Sequence, residues 1–265
     1  MNGEKVSIVT ISFNSESTIE KTIQSVLSQQ YRPLEYVLVD GKSSDGTIEI
    51  IEKYIPILLK AGIEVVFKSE PDHGISDAFN KGISRSSGSI IGIINSDDQL
   101  SDNALEKVAM AFQDNNIGVV CGDCLWIDTV NNLKYIRKSK MNLQKLKFEM
   151  ILMHPACFVK KTVYEKYGVF DVNLKYVMDK DLMARFYRNG VRFYHIPEVL
   201  TCMYAGGASD ANAKKVFDEG VIVATRNGVP RVYAFARSVY KGFRLKIVNN
   251  AKKSGKIWKM IKGSD

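Results

Sequence analysis

Apolar and polar positions alternate between two periods along residues 1–121. Short β-branched runs occur at residues 6–11 (VSIVTI), 36–39 (YVLV), 63–67 (IEVVF), 89–94 (SIIGII) and 117–121 (IGVVC). Such runs are expected of strands buried on both faces of a parallel sheet. Between them the apolar positions space out to helical period, as at Ile19, Ile23, Val26 and Leu27, and again at Ile48, Ile51 and Ile55. A capping box of Ser17 and Glu20 is predicted to start the first helix, and Asp45 to cap the second. Further helices are predicted from near Ser76 and over residues 102–112.

Strands alternating with helices predict an α/β fold with parallel strands and right-handed crossovers. Ligands of such sheets bind beyond the carboxyl ends of the strands. The polar residues at those ends are therefore the first candidates for chemistry: Ser12, Phe13 and Asn14, then Asp40, then Asn95-Ser96-Asp97-Asp98.

Residues 122–210 are less regular. CLWIDTV and LKYIRK predict a hairpin around Asn131-Asn132, residues 142–152 a helix, ACFVK a strand, residues 179–189 a helix ending at Gly190, and FYHIPEVL and TCMY extended chain. From about Val216 the pattern is helical and basic. Of 37 Lys and Arg, 11 fall between Gly220 and Ser264, which hold no acid. The first 219 residues carry 26 bases against 28 acids, so the net charge of +8 belongs to the tail. Tyr, Phe, Trp and Ile interleave with those bases, the composition of a helix lying at an anionic membrane surface; the bland alternative is a solvated helix docked on the body. A nearly neutral body argues against nucleic acid as a partner. No run of apolar residues is long enough to span a bilayer, and the N-terminus lacks the apolar core of a signal peptide, so a cytoplasmic protein is expected. Cys121 and Cys124 form a lone C-x-x-C without a second pair, and buried thiols are expected there.

The acidic strand ends have two readings. Adjacent carboxylates at Asp97 and Asp98 suit a hard divalent ion shared with substrate phosphates, or they form an acidic turn that caps the next helix. Asp40 is either a ligand for polar groups or part of the GKSSDG turn. Asp72, His73, Asp77 and Asn80 lie on the carboxyl side after the third strand. Asp179 and Asp181 open a helix whose N-terminus favours negative charge in any case; a functional role requires one of them to face the crevice as a base. There is no P-loop, no G-x-G-x-x-G after the first strand and no G-x-S-x-G elbow, which argues against P-loop nucleotidases, dinucleotide dehydrogenases and serine hydrolases.

Taken in order, VSIVTISFNSESTIEKTIQSVLSQQY, YVLVDGKSSDGT, SEPDHGISDAFNKGISRSSGSIIGIINSDD, HPACFVKKTVYEKYGVFD with VMDKDLMARFYRNG, and PEVLTCMYAGGAS resemble family 2 of the glycosyltransferases, the bacterial O-antigen and exopolysaccharide type, over residues 5–210. The resemblance implies the GT-A fold with a mostly parallel central sheet flanked by helices. It implies a catalytic domain at 1–215, with a nucleotide-sugar half (1–121) and an acceptor half (122–215), and leaves a basic amphipathic tail at 216–265. It implies that Phe13 packs on the nucleotide base and that Thr10, Ser12 and Asp40 lie around base and ribose. Asp77 and Asn80 would line the donor pocket, Asp98 would bind Mg2+ or Mn2+ with Asp97 beside it, and Asp179 would be the general base. Asp181 and Arg185 complete the base motif, and His154 falls on the acceptor side. Two positions depart from the family: Asn95 where Asp is common, and Met178 where Glu often precedes the base.

The activity implied is an inverting transfer of a hexose or N-acetylhexosamine from a nucleotide-diphosphate sugar, a UDP-sugar above all, to a saccharide hydroxyl. The acceptor expected is a lipid-linked O-antigen, capsule or exopolysaccharide precursor at the inner face of the cytoplasmic membrane, met through residues 220–264. Two alternatives remain: a nucleotidyltransferase on a similar sheet, which would want a Gly-rich basic loop where SFNSEST stands, and a non-enzymatic binder of membrane or nucleic acid, which would leave the acidic strand ends unused.

Overall fold

The structure is a computed structural model that describes residues 3–205 and 213–240. Strands β1 (Val6–Ser12), β2 (Leu34–Asp40), β3 (Ile63–Ser69) and β4 (Ile90–Asn95) pair in parallel in the order β3-β2-β1-β4. They alternate with α1 (Ile19–Leu27), α2 (Thr47–Lys60) and α3 (Ile75–Arg85). The register puts Ser12 opposite Asp40, Asp40 opposite Ser69 and Ile11 opposite Asn95, so four carboxyl ends form one rim.

Beyond β4 the sheet becomes mixed. After β5 (Gln99–Leu100) and α4 (Ala104–Ala111) comes the long β6 (Ile117–Asp128), which pairs antiparallel with both β7 (Leu133–Arg137) and β8 (Cys157–Lys160). β8 lies antiparallel between β4 and β6, and β9 (Arg192–Tyr204) runs parallel to β6. α5 (Lys161–Tyr167) and α6 (Met178–Arg188) precede β9; α7 (Ala213–Arg226) and α8 (residues 231–240) follow it. β6 passes without interruption through residue 121, where the sequence suggested a division between halves.

Side-chain alternation along the strands splits the core in two. Ile8, Tyr36 and Leu38 pack under α1, α2 and α4, while Val9, Val37 and Ile91 pack under α3 and α6. α3 sits close on β1 because Gly82 lies over Val9; a Cβ there would come within 2.2 Å of Val9 Cγ1. Gly82→Ala is therefore expected to destabilise by about 1–3 kcal/mol, since a stiff β-branched neighbour yields poorly. The melting temperature should drop by roughly 2–12 °C, and an unchanged value would show that the helix shifts freely.

Two local expectations differ from what forms. The capping box does not: α1 starts with Thr18 and Ile19 donating backbone N–H to Ser15 O (3.0 and 2.9 Å), and Glu20 accepts from the Tyr54 hydroxyl of α2 at 2.9 Å. The helix expected at residues 142–152 is a short 3-10 turn at Leu143–Lys147, and beyond it Met150, Leu152 and Met153 line a cavity. Cys121 and Cys124 are buried thiols, as expected, and Cys121 Sγ lies 3.5 Å from Cys157 Sγ across the β6–β8 pairing. Asp45 does accept the Thr47 N–H at the head of α2 (3.1 Å), and Gly190, at φ 77°, follows the end of α6 as expected. The tail beyond residue 240, and residues 206–212, which include the end of the last motif, lie outside the described residues.

Candidate active site

The rim of strand ends opens into a cavity of about 770 Å³. Ser12, Phe13 and Ser15 line it from the loop after β1, Asn95 to Asp98 from the turn after β4, Asp72 and Gly74 from the segment before α3, and Asp179 from the first turn of α6. Its far wall is Trp126, Arg137 and Tyr204 from the β6–β7–β9 edge, with Met153 and His154 between. Asp98 and Asp179, more than eighty residues apart in sequence, thus share one hollow.

Phe13 is 63% exposed, a large aromatic ring with one face left to solvent at the cavity edge. Gly41 lets the loops close around it: a Cβ at residue 41 would stand 2.5 Å from Asp72 Oδ2 and 3.4 Å from the Phe13 ring.

The acidic turn is built from both sides. Asn95 accepts the Asp98 N–H on its carbonyl (3.1 Å) and donates its side-chain amide to Asp98 Oδ2 at 2.8 Å. An Asp at position 95 would turn that donor into a third carboxylate, which accounts for Asn in this chain. Asp98 is 2% exposed, and burial together with the charge of Asp97 pushes its carboxyl up to about 7. Burial raises Asp97 as well. Behind the turn, α1 presents Thr22 and Ser25, and Gln29 follows just past the helix end. Thr22 donates to Asp98 O (2.7 Å), Ser25 accepts from the Leu100 N–H (3.0 Å), and Gln29 donates to Ser101 O (3.0 Å). These three anchors were not singled out in the sequence; the i, i+3 spacing of Thr22 and Ser25 on one face of α1 is a signal that marks two of them, while Gln29 lies past the helix end.

On the opposite side, His154 is wedged between Phe79 and Phe170, at ring distances of 5.8 and 5.7 Å. Burial lowers its pKa, and the nearby charge of Asp179 only partly offsets that. The imidazole is thus neutral at pH 7, a polar neighbour of Asp179 that adds no positive charge.

Several expected residues do not line this cavity. Thr10 is fully buried and accepts the Tyr36 hydroxyl at 3.1 Å. Asp40 is also fully buried, and its oxygens accept from Ser12 Oγ (3.0 Å), Ser43 N (2.9 Å), Ser43 Oγ (2.5 Å) and Ser69 Oγ (2.8 Å). Four donors use the carboxylate to tie the ends of β1, β2 and β3 together. Asp77 pairs with Lys81 at 2.9 Å and accepts the His73 N–H. Asn80 both donates to and accepts from the backbone of Phe170 (2.9 Å each), fastening α3 to the chain before α6. Asp181 and Arg185 face a second cavity: Arg185 donates to Tyr167 O (2.6 Å) and Val169 O (2.7 Å) and lies 3.5 Å from Asp181. Trp126 and Arg137, absent from the sequence-level candidates, do line the central cavity, with the Arg137 guanidinium 4.6 Å over the Trp126 ring. Only the pairing of β6 with β7 and β9 brings them there.

Among the described residues no cluster of three or more His, Cys, Asp or Glu side chains is arranged to hold a metal. Two side-by-side carboxylates, one almost wholly buried, nevertheless suit a hard cation that takes its remaining oxygens from a phosphate ligand and water.

Residues 7–168 match the family described as "Glycosyl transferase family 2". The chain is 25% identical over 235 residues to a PGL/p-HBAD biosynthesis glycosyltransferase of Mycobacterium bovis, covering 87% of this chain and 89% of the relative. It is 37% identical over 102 residues to a putative teichuronic acid biosynthesis glycosyltransferase of Bacillus subtilis, 38% of this chain and 39% of that one. Among solved structures, S. aureus TarS 1–349 in complex with UDP superposes with a TM-score of 0.69 at 17% identity, over 93% of this chain and 74% of that one. A mannosyltransferase from Pyrobaculum calidifontis, in complex with GDP-Man and Mn2+, gives 0.63 at 16% identity, over 90% and 74%. The last two likenesses concern the fold. The chain belongs to glycosyl transferase family 2 and is a glycosyltransferase of the GT-A fold.

Proposed function

We propose that the chain is an inverting glycosyltransferase that takes a hexose or N-acetylhexosamine from a nucleotide-diphosphate sugar, a UDP-sugar, and transfers it to a saccharide hydroxyl. The observation that carries this reading is the meeting of Asp97 and Asp98 with Asp179 across one cavity. Phe13 stacks on the base, and Ser12 and Asp97 face the ribose. Asp98, with Asp97, would hold Mg2+ or Mn2+, an ion that when bound neutralises charge on the leaving diphosphate. TarS with UDP-GlcNAc and the Pyrobaculum enzyme with Mn2+ support that choice of ligand. Asp179 accepts the proton of the acceptor hydroxyl as its oxygen bonds to the anomeric carbon. The bond from that carbon to the diphosphate oxygen breaks on the other side, and the anomeric centre inverts. Thr10, Asp40, Asp77 and Asn80 serve this site from behind the wall, by holding the strands and helix that carry the contact residues.

A screen of UDP-glucose, UDP-galactose, UDP-GlcNAc and UDP-GalNAc for thermal stabilisation, with Mn2+ or with EDTA, tests the donor. At least one should raise the melting temperature, and EDTA should remove most of the shift. Phe13→Ala should weaken UDP binding by about 1–3 kcal/mol with little change in the stability of the free protein, because stacking is lost from an exposed ring. A UDP affinity unchanged in that variant would move the base elsewhere.

The acceptor in this reading is a lipid-linked O-antigen, capsule or exopolysaccharide precursor, reached by a protein peripheral on the inner membrane face. No helix among the described residues is long and apolar enough to cross a membrane. α8 supports surface contact: Val232, Tyr233, Phe235 and Tyr240 are more than half exposed and interleave with Arg231 and Arg237. The β6–β7 hairpin beside the cavity adds a second such surface. Residues 129–148 hold six bases and no acid, and Val130, Leu133 and Ile136 stand out in solvent. The full chain should co-float with phosphatidylglycerol vesicles, and Val232→Ser with Tyr240→Ser should weaken that; equal flotation on purely zwitterionic vesicles would remove the charge argument.

A further inference from the structure

Asp179 sits one residue into α6, so its aim depends on how the chain enters that helix. The entry turn is held from outside the sheet. Glu219 of α7 accepts three consecutive backbone N–H groups, from Lys175 (2.9 Å, Oε1), Tyr176 (2.8 Å, Oε2) and Val177 (3.1 Å, Oε2). Around it, Val216 and Val223 on the same face of α7 pack against Leu174, Tyr176, Val177 and Met178. Farther along, Arg226 pairs with Asp171 at 2.7 Å and lies 3.6 Å from Asp181, bracketing the same stretch of chain. Met178 is part of this apolar contact, and the carboxylate beside the turn is contributed by α7.

We propose that Glu219 is a positioning residue for transfer: its carboxylate clamps the turn at residues 175–177 and thereby fixes the direction in which Asp179 enters the cavity. The inference rests on the assignment of Asp179 as the base. Three charge-assisted bonds to one short turn hold it far more firmly than packing alone. Negative charge there also complements the N-terminal end of α6. A small misplacement of a base near its substrate costs turnover steeply, while the donor, held at the other wall, is bound as before. α7 lies beyond the residues that match the family, so this clamp makes the C-terminal helix part of the working enzyme.

The test uses Glu219→Gln in the full chain, which keeps the side chain's shape but turns an amide toward the backbone donors. The probe is UDP release from whichever of the four UDP-sugars stabilises the wild type most, with water as acceptor. Turnover should fall about 10–100-fold, UDP affinity should stay within about two-fold, and amide exchange at residues 175–177 should accelerate. Because Glu219 acts through Asp179, the double variant with Asp179→Asn should release UDP no more slowly than Asp179→Asn alone. Wild-type turnover in Glu219→Gln, or two losses that multiply in the double variant, would overturn the clamp. An Asp179→Asn protein with wild-type turnover would instead overturn the base assignment, and the clamp with it. If no donor is turned over, exchange decides: acceleration at residues 175–177 that spreads to Asp179 upholds the clamp, and unchanged exchange overturns it. A melting-temperature loss large enough to account for the missing activity, with unchanged turnover per folded molecule, also counts against it.

Discussion

Asp179→Asn is expected to lower transfer by about 10²–10⁴-fold while UDP, in the presence of Mn2+, binds as tightly as to the wild type. The substitution keeps the size and polarity of the side chain and removes only its capacity to take a proton. Asp179 Oδ1 accepts the Lys180 N–H at 2.7 Å, a bond that an amide oxygen can preserve, so α6 should keep its first turn. The neighbouring His154 is a poor substitute base despite being neutral, since burial between two Phe rings disfavours the imidazolium it would become. A loss confined to turnover separates a base from a binding residue, whose removal would raise the donor KM. Full activity in Asp179→Asn would take residue 179 out of the chemistry.

Asp98→Asn should have the opposite effects on stability and on activity. In the unfolded chain this carboxyl ionises near pH 4; in the fold it is pushed up to about 7 by burial and by Asp97. The unfolded state therefore loses its proton first as pH rises, and the native state is penalised increasingly between about pH 4 and 7. Above that window the penalty on the metal-free protein is roughly 2–4 kcal/mol. The variant escapes it, and its side-chain oxygen can still accept the Asn95 amide. Its melting temperature at pH 8 should exceed that of the wild type by about 4–16 °C, with little difference at pH 4. In exchange it should lose the stabilisation by Mn2+ with UDP, and transfer with it. A variant that melts at the wild-type temperature at pH 8 would mean that Asp98 is not under electrostatic strain.

The parallel half of the sheet and its acidic rim were legible because both follow from local pattern. β-branched runs end in polar residues at Ser12, Asp40 and Asn95, and a parallel sheet brings such ends together. What Asp40 does there was not legible. A strand-end carboxylate in sequence is either a ligand or a staple, and only the arrival of Ser12 and Ser69 from other strands decides between them. The insertion of β8 between β4 and β6 was hidden for a similar reason: strand order is a matter of long-range pairing, and ACFVK reads the same in either direction. Trp126 and Arg137 looked like parts of an ordinary hairpin and became a cavity wall through β9. Glu219 lay in a stretch whose charge pattern suggested a tail, while its spacing with Val216 and Val223, one face of α7, already described a helix with something to pack against.

The most direct measurement is a crystal structure with UDP-GlcNAc and Mn2+ bound. The uracil is expected on Phe13, the diphosphate and cation at Asp97 and Asp98, and the anomeric carbon between them and Asp179, with its face away from the diphosphate turned to that carboxylate. A nucleotide bound outside this cavity, or Asp179 lying on the diphosphate side of the anomeric carbon, would contradict it.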